Sequence, residues 1–137
     1  RDTGTLHGDL TALNQQIQDS LTEESSIAEA LIAVSFRSAA AADALRRLWE
    51  GRYTQSEIVV ERAVRRGELE PGVDARALLI AATAPLYHQL ILLRAAPDPG
   101  LPAHAAATAA LAARAGAFTE MNSAAAKPRR RPTSRTD

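Results

Sequence analysis

Apolar residues recur at intervals of three and four along most of the chain, which is the spacing of one face of an α-helix. The first such stripe consists of Leu6, Leu10, Leu13, Ile17 and Leu21. It predicts a helix from about Leu6 to Leu21, whose first turn a side-chain oxygen of Thr3 or Thr5 can cap.

Two further helices follow. Ser25 or Ser26 can cap a second helix that ends near Phe36 or Arg37. Residues 38–66 keep helical spacing and predict one long third helix, within which Gly51 allows a bend.

The end of the third helix carries several signals. Arg65 and Arg66 suit the negative end of the helix dipole, and Gly67 can adopt the left-handed conformation that ends many helices. Pro71 cannot continue a helix, so the third helix is predicted to stop before it.

The fourth helix is unusually apolar. Asp74 can cap its start, it reaches about Arg94, and Pro85 inside it predicts a kink because proline lacks the backbone N–H. A turn rich in proline and glycine then leads into an alanine-rich fifth helix over about 102–120. Because the fourth helix is apolar on more than one side, a second subunit is a natural source of cover.

These elements predict an all-α domain over residues 1–123, with about five helices. Residues 124–137 read as a disordered basic tail, with five cations against one carboxylate. The whole chain has a formal charge of zero, so the other residues sum to −4 and carry no basic surface for nucleic acid. The absence of cysteine excludes disulfides and thiolate sites and fits a reducing cytoplasm.

Catalytic and metal-binding patterns are lacking in the sequence. His7, His88 and His104 stand far apart, without metal-ligand spacing. No phosphate-binding glycine loop and no nucleophile motif is present, so we expect neither an enzyme nor a cofactor. No apolar run reaches the roughly 18 residues that a membrane-spanning helix needs.

Three motifs together resemble a known family. They are DTGTLHGDL at residues 2–10, ERAVRRGELEPGVD at residues 61–74 and PLYHQL at residues 85–90. In this order and spacing they resemble one group of C-terminal domains in the tetracycline-repressor (TetR) family of transcriptional regulators, over about residues 2–120. Ala84 stands where that group usually has glycine, and His88 where a second aromatic residue is common.

The resemblance implies a function. In this family an N-terminal helix–turn–helix domain reads DNA, while the C-terminal domain binds a small effector and dimerises through its last two long helices. We therefore expect a cytoplasmic homodimer that senses a small apolar effector of unknown identity and contacts DNA only through an N-terminal domain absent from this chain. The regulator would be a repressor that the effector releases from DNA. A purely structural dimerisation module without a ligand remains the alternative.

Candidate effector-binding residues are aromatic, polar, or, for Ile17, an apolar neighbour of Asn14 on α-helical spacing: Asn14, Ile17, Phe36, Trp49, Tyr53, Tyr87 and His88. The aromatic residues can equally pack a filled core, and Asn14 can occupy an exposed edge. Tyr87 and His88 can face either the effector or a partner subunit. The residues expected at the dimer interface are Leu86, Leu90, Leu93, Ala109 and Ala112.

Overall fold

The structure is a computed structural model that describes residues 1–23 and 26–119. The α-helices within these ranges are α1 (Leu6–Thr22), α2 (Ile27–Ser35), α3 (Ala39–Arg65), α4 (Ala75–Tyr87) and α5 (Leu101–Arg114). A π-helical turn, His88–Leu92, continues α4. The predicted all-α fold class is confirmed, while the predicted tail at 124–137 lies outside the described residues.

The helix starts follow the capping residues of the sequence. Thr5, Ser26, Ser38 and Asp74 each accept a hydrogen bond from a backbone N–H in the first turn of their helix. Such caps satisfy backbone donors that have no partner inside the helix.

The ends of α3 and α5 share one hydrogen-bonding pattern. Gly67 has φ +76°, and the next backbone N–H donates to the carbonyl of Ala63 at 2.9 Å. Gly116 has φ +84° and ends α5 in the same way, at Arg114. The expected continuation of the fifth helix to residue 120 was therefore wrong, because a glycine cap stops it earlier.

Beyond α5 the chain returns to the start of α4. The backbone N–H of Asp74 donates to the carbonyl of Phe118 at 2.7 Å, and Val73 forms an isolated antiparallel bridge with Thr119. The α4–α5 hairpin is thus held together at its open end.

Pro85 lies inside α4, and the helix changes to π geometry three residues later. A proline removes one backbone hydrogen bond, and wider π turns are a known way to absorb such a break. The sequence predicts a kink at Pro85, and the structure shows a π-helical turn just beyond it.

The core lies where α1, α3, α4 and α5 meet, while α2 packs against α3. Its largest members include Leu6, Leu10, Val60, Leu78 and Leu79. Small alanines of α5 complete the core, which lets α5 pack close to α1 and α4.

One side of the α4–α5 pair leaves apolar residues exposed. Ile80, Leu92, Leu93 and Leu111 are between 45% and 74% exposed. Contrary to the expectation that no apolar run reaches this length, residues 75–92 are long and apolar enough, by length and composition alone, to cross a membrane. Core helices of soluble proteins have the same composition. Only 28% of this segment is buried within the single chain, so much of its apolar surface lacks cover.

Candidate ligand-binding cleft

A cleft of about 370 Å³ lies between α1, α3 and α4. Clefts that hold small molecules typically measure ~300–1,000 Å³. All three helices contribute apolar walls, including Leu13, Ile17, Trp49, Tyr53, Val59 and Leu79. The cleft is therefore large enough and apolar enough to hold a small organic molecule.

Three aromatic side chains form one end of the cleft. Trp49 and Tyr53 are four residues apart and so share a face of α3. The rings of Trp49 and Tyr87 meet edge to face, with centroids 5.1 Å apart and planes at 71°. Burial raises the pKa of Tyr87 to about 12, against the opposing effect of the nearby Arg52 charge. The phenol therefore remains a hydrogen-bond donor at physiological pH.

Arg52 brings a positive charge to this aromatic end. Its guanidinium carbon lies 5.1 Å from the centre of the Trp49 ring, within the range of a cation–π contact. None of the ion pairs formed by the described residues involves Arg52. Arg76, in contrast, lies 5.0 Å from the Tyr53 ring and is bound by Glu50 at 2.8 Å.

Two hydroxyl groups in the lining are already engaged. Ser56 donates to the backbone carbonyl of Arg52 at 2.8 Å, and Thr83 donates to that of Leu79 at 2.9 Å. Because these protons stay within their own helices, the two hydroxyls offer a ligand only acceptor oxygens.

A buried carboxylate lies at the other end of the cleft. Asp9 is 1% exposed and accepts hydrogen bonds from Thr3 at 2.6 and 2.7 Å, while Arg66 contacts its second oxygen at 3.3 Å. Burial opposes the charge, but these contacts outweigh it and hold the pKa of Asp9 below its ordinary value.

Glu68 extends this charge network to the start of α1. Its two oxygens accept from the backbone N–H of Leu6 at 3.0 Å, and Arg66 donates to one of them at 2.8 Å. These contacts outweigh burial and lower the pKa of Glu68. The network joins the first residues of the chain to the end of α3, directly beside the cleft.

The chemistry of the cleft suits binding. Among the residues that the structure describes, no group of three or more His, Cys, Asp or Glu side chains is placed to hold a metal ion. The cleft combines apolar walls with a few oriented polar groups, which is the usual composition of a small-molecule site.

The sequence matches the family described as "Tetracyclin repressor-like, C-terminal domain" over residues 1–109. This match spans most of the chain, including every helix that lines the cleft. The chain belongs to this family. The resemblance in the three sequence motifs is thereby confirmed, and the chain is a domain of a TetR-type transcriptional regulator. A comparison with curated proteins found no match.

Four of the seven candidate effector-binding residues line the cleft of this TetR-type domain. They are Ile17, Trp49, Tyr53 and Tyr87. The periodicity of α1 and α3 and the motif around Pro85 were sufficient to find them, because each faces the same space from its own helix.

The other three candidates lie elsewhere. Asn14 is fully buried, and its amide donates to the backbone carbonyls of Ala82 at 2.9 Å and Pro102 at 3.1 Å. Phe36 follows α2 and is 85% exposed. His88 is exposed at the first position of the π-helical turn. None of them lines the cleft, so their proposed contact with a ligand has no support from this geometry.

All four charged residues of the TetR-type cleft were missed by the sequence reasoning: Arg1, Asp9, Arg52 and Arg62. Arg52 lies three residues after Trp49 and one before Tyr53, so its place beside the aromatic stripe was readable from helical spacing. Asp9 was missed because its partner Arg66 is 57 residues away in sequence.

The candidate interface residues divide into two groups. Leu86 and Ala109 are 0% and 3% exposed, so the core of the single chain already covers them. Leu90 and Ala112 are partly exposed, and Leu93 is 61% exposed. An interface on this side of the TetR-type domain would therefore use exposed residues of α4 and α5 in place of Leu86 and Ala109.

Proposed function

We propose that this domain senses a small effector in the cleft and transmits the binding event to a homodimer interface on α4 and α5. The observation that carries this proposal is the cleft itself, with apolar walls from α1, α3 and α4. A ligand-binding and dimerisation role also agrees with membership of the TetR-type family.

The geometry of α4 supports a link between ligand and partner. Leu79 and Thr83 face the cleft, one helical turn apart. The next residue after each, Ile80 and Ala84, is exposed on the outer side. A ligand that displaces α4 would therefore move the surface that a second subunit covers. Such a switch needs the ligand to bind one arrangement of the dimer more tightly than the other.

The role of DNA in this proposal follows from the family. TetR-type regulators bind DNA through an N-terminal domain, and we propose that effector binding here releases a cytoplasmic repressor from its operator. The mildly acidic charge of residues 1–123, which sum to −4, favours no DNA contact by this domain.

The test is native mass spectrometry of the chain purified from its own host, with a search for a small molecule that stays bound. Ile17→Trp should fill the cleft and abolish the bound mass, because Ile17 lines it. Ile27→Trp is the matched control, since Ile27 is 74% exposed on α2.

The control should retain the bound mass. A molecule that Ile17→Trp retains equally well would show that the cleft is not its site. A chain without any bound molecule, unaffected by extracts of its host, would favour the purely structural dimerisation module.

A further inference from the structure

We propose that the effector is an organic anion: a monocarboxylate with an apolar body, whose carboxylate is bound by Arg52 and Tyr87. This inference rests on the proposed effector-sensing function and adds the chemical class of the ligand.

The charged groups facing the cleft favour an anion. Arg1, Arg52 and Arg62 line it together with one carboxylate, Asp9. Thr3 and Arg66 already bind the two oxygens of Asp9, and neither residue lines the cleft. The charge of Asp9 is therefore compensated by groups outside the cleft lining. The guanidinium groups therefore dominate the potential that a ligand meets.

Arg52 is a better anchor for the ligand than Arg62. The Nε atom of Arg62 has a carboxylate oxygen of Asp2 at 3.8 Å. Arg52 has no carboxylate at ion-pair distance among the described residues, and its guanidinium is held over Trp49 at the aromatic end. A planar guanidinium binds a carboxylate through parallel N–H donors, which gives both affinity and orientation.

Tyr87 supplies a second donor at the same place. Its ring is packed against Trp49. Its phenol lies close enough to Arg52 to be influenced by the guanidinium charge and to form a hydrogen bond with that side chain. A neutral phenol beside a guanidinium can donate to the second lone pair of the same carboxylate oxygen.

The rest of the cleft fits an apolar body. Leu13, Ile17, Val59 and Leu79 provide aliphatic walls, and the Thr83 proton is taken up by its own helix. A cationic ligand would meet like charge at Arg52, which already covers a face of Trp49.

The test compares three probes with one body: 4-phenylbutyrate, 4-phenylbutan-1-ol and 4-phenylbutylamine. Trp49 is the only tryptophan in the chain, so its fluorescence reports binding in the cleft directly. The carboxylate should bind about ten- to a hundredfold more tightly than the alcohol, as expected for hydrogen bonds to a charged group, and the amine should bind most weakly.

Three variants separate the anchor from general charge. Arg52→Gln should remove the preference for the carboxylate, and Tyr87→Phe should weaken carboxylate binding while leaving the alcohol unchanged. Arg47→Gln is the control, because Arg47 is exposed on the same helix and does not line the cleft. Thermal melting of each variant shows that it remains folded.

The outcomes are distinct. Equal binding of alcohol and carboxylate by the unmodified chain, or a carboxylate preference that survives Arg52→Gln, would overturn the anionic class while leaving the cleft a ligand site. No fluorescence change with any of the three probes would contradict the anionic class, while the effector-sensing function is decided separately by the native mass spectrometry described above.

Discussion

At the scale of single residues, Asp9 is a buried carboxylate that ties the start of the chain to the end of α3. Its oxygens bind Thr3 and Arg66, and Arg66 in turn binds Glu68. Removing one partner of a buried charge pair leaves the other without compensation, which costs more than the pair itself contributes. The stability of the domain should therefore depend more on Asp9 than on the exposed carboxylates of the same domain.

The first prediction concerns Asp9→Asn. It should lower the free energy of unfolding at pH 7 by about 1–3 kcal/mol, because Arg66 loses a charged acceptor. Since the folded pKa of Asp9 is depressed, its contribution is complete above the unfolded pKa of about 3.9. It is lost as the pH falls through the folded value. Urea denaturation of both proteins between pH 7 and pH 2 measures the difference, which should shrink in acid.

Asp19→Asn is the control for this measurement, because Asp19 is an exposed residue of the same helix. It should change stability by less than about 0.5 kcal/mol. An Asp9→Asn difference that stayed constant down to pH 2 would contradict the charged role assigned to this residue.

Single residues also show where sequence reasoning stops. The polar position of Asn14 on the apolar stripe of α1 predicted a ligand contact or an exposed edge, but Asn14 is fully buried and does not line the cleft. Its partners, the carbonyls of Ala82 and Pro102, are 68 and 88 residues away, so only the folded arrangement reveals that it joins three helices. Long-range polar pairs of this kind have no local pattern in a sequence.

At the scale of elements, most helix boundaries were readable because caps and periodicity agree. The starts at Thr5, Ser26, Ser38 and Asp74 all coincide with a side-chain cap. The end of α5 was misjudged although Arg114 and Gly116 repeat the signals of α3, because Ala115 and Ala117 flank Gly116 and favour helix. Pro85 indicated the place of the π-helical turn, but the change to π geometry itself has no distinct sequence pattern.

The second prediction compares two glycines of the α3 region. Gly67→Ala should destabilise the domain by about 1–2 kcal/mol, because Gly67 has a left-handed backbone that alanine resists. Gly51→Ala should stabilise it by about 0.5–1 kcal/mol, because Gly51 lies inside α3. An added Cβ meets no atom within 4 Å at either site, so the backbone alone determines the sign.

Thermal denaturation of the two variants provides the measurement. The melting temperature should move in opposite directions. A higher melting temperature for Gly67→Ala would contradict its role as the cap of α3, and a lower one for Gly51→Ala would contradict the cost assigned to glycine inside the helix.

At the scale of the whole molecule, the exposed apolar side of α4 and α5 indicates an interface with another protein chain. Ile80 and Leu111 are 45% and 69% exposed, although both lie on helices whose other side is fully packed. A large exposed apolar surface usually marks an interface in a soluble protein. We propose that a second copy of the chain covers it in a two-fold arrangement, as TetR-type domains typically do.

The third prediction is that Leu111→Glu converts a dimer into a folded monomer. Leu111 is exposed in the single chain, so the change should leave the core intact while placing charge in the proposed interface. Sedimentation velocity at micromolar concentration measures the state of each protein, and circular dichroism confirms that the monomer remains helical.

Val34→Glu is the control, because Val34 is an exposed apolar residue on α2. It should remain dimeric. A stable monomer of the unmodified chain, or a dimer that tolerates Leu111→Glu, would contradict the proposed interface.

The hydrogen bonds at the open end of the α4–α5 hairpin limit how these two helices can move. Sliding α5 along α4 by one residue, roughly 1.5 Å, would break the bond from Asp74 to the carbonyl of Phe118. It would also break the bond from Asn14 to Pro102. We therefore expect α4 and α5 to tilt together as a rigid pair and not to slide along each other. A ligand beside Leu79 and Thr83 would then change the angle between two subunits while the spacing along the helix axes stays fixed.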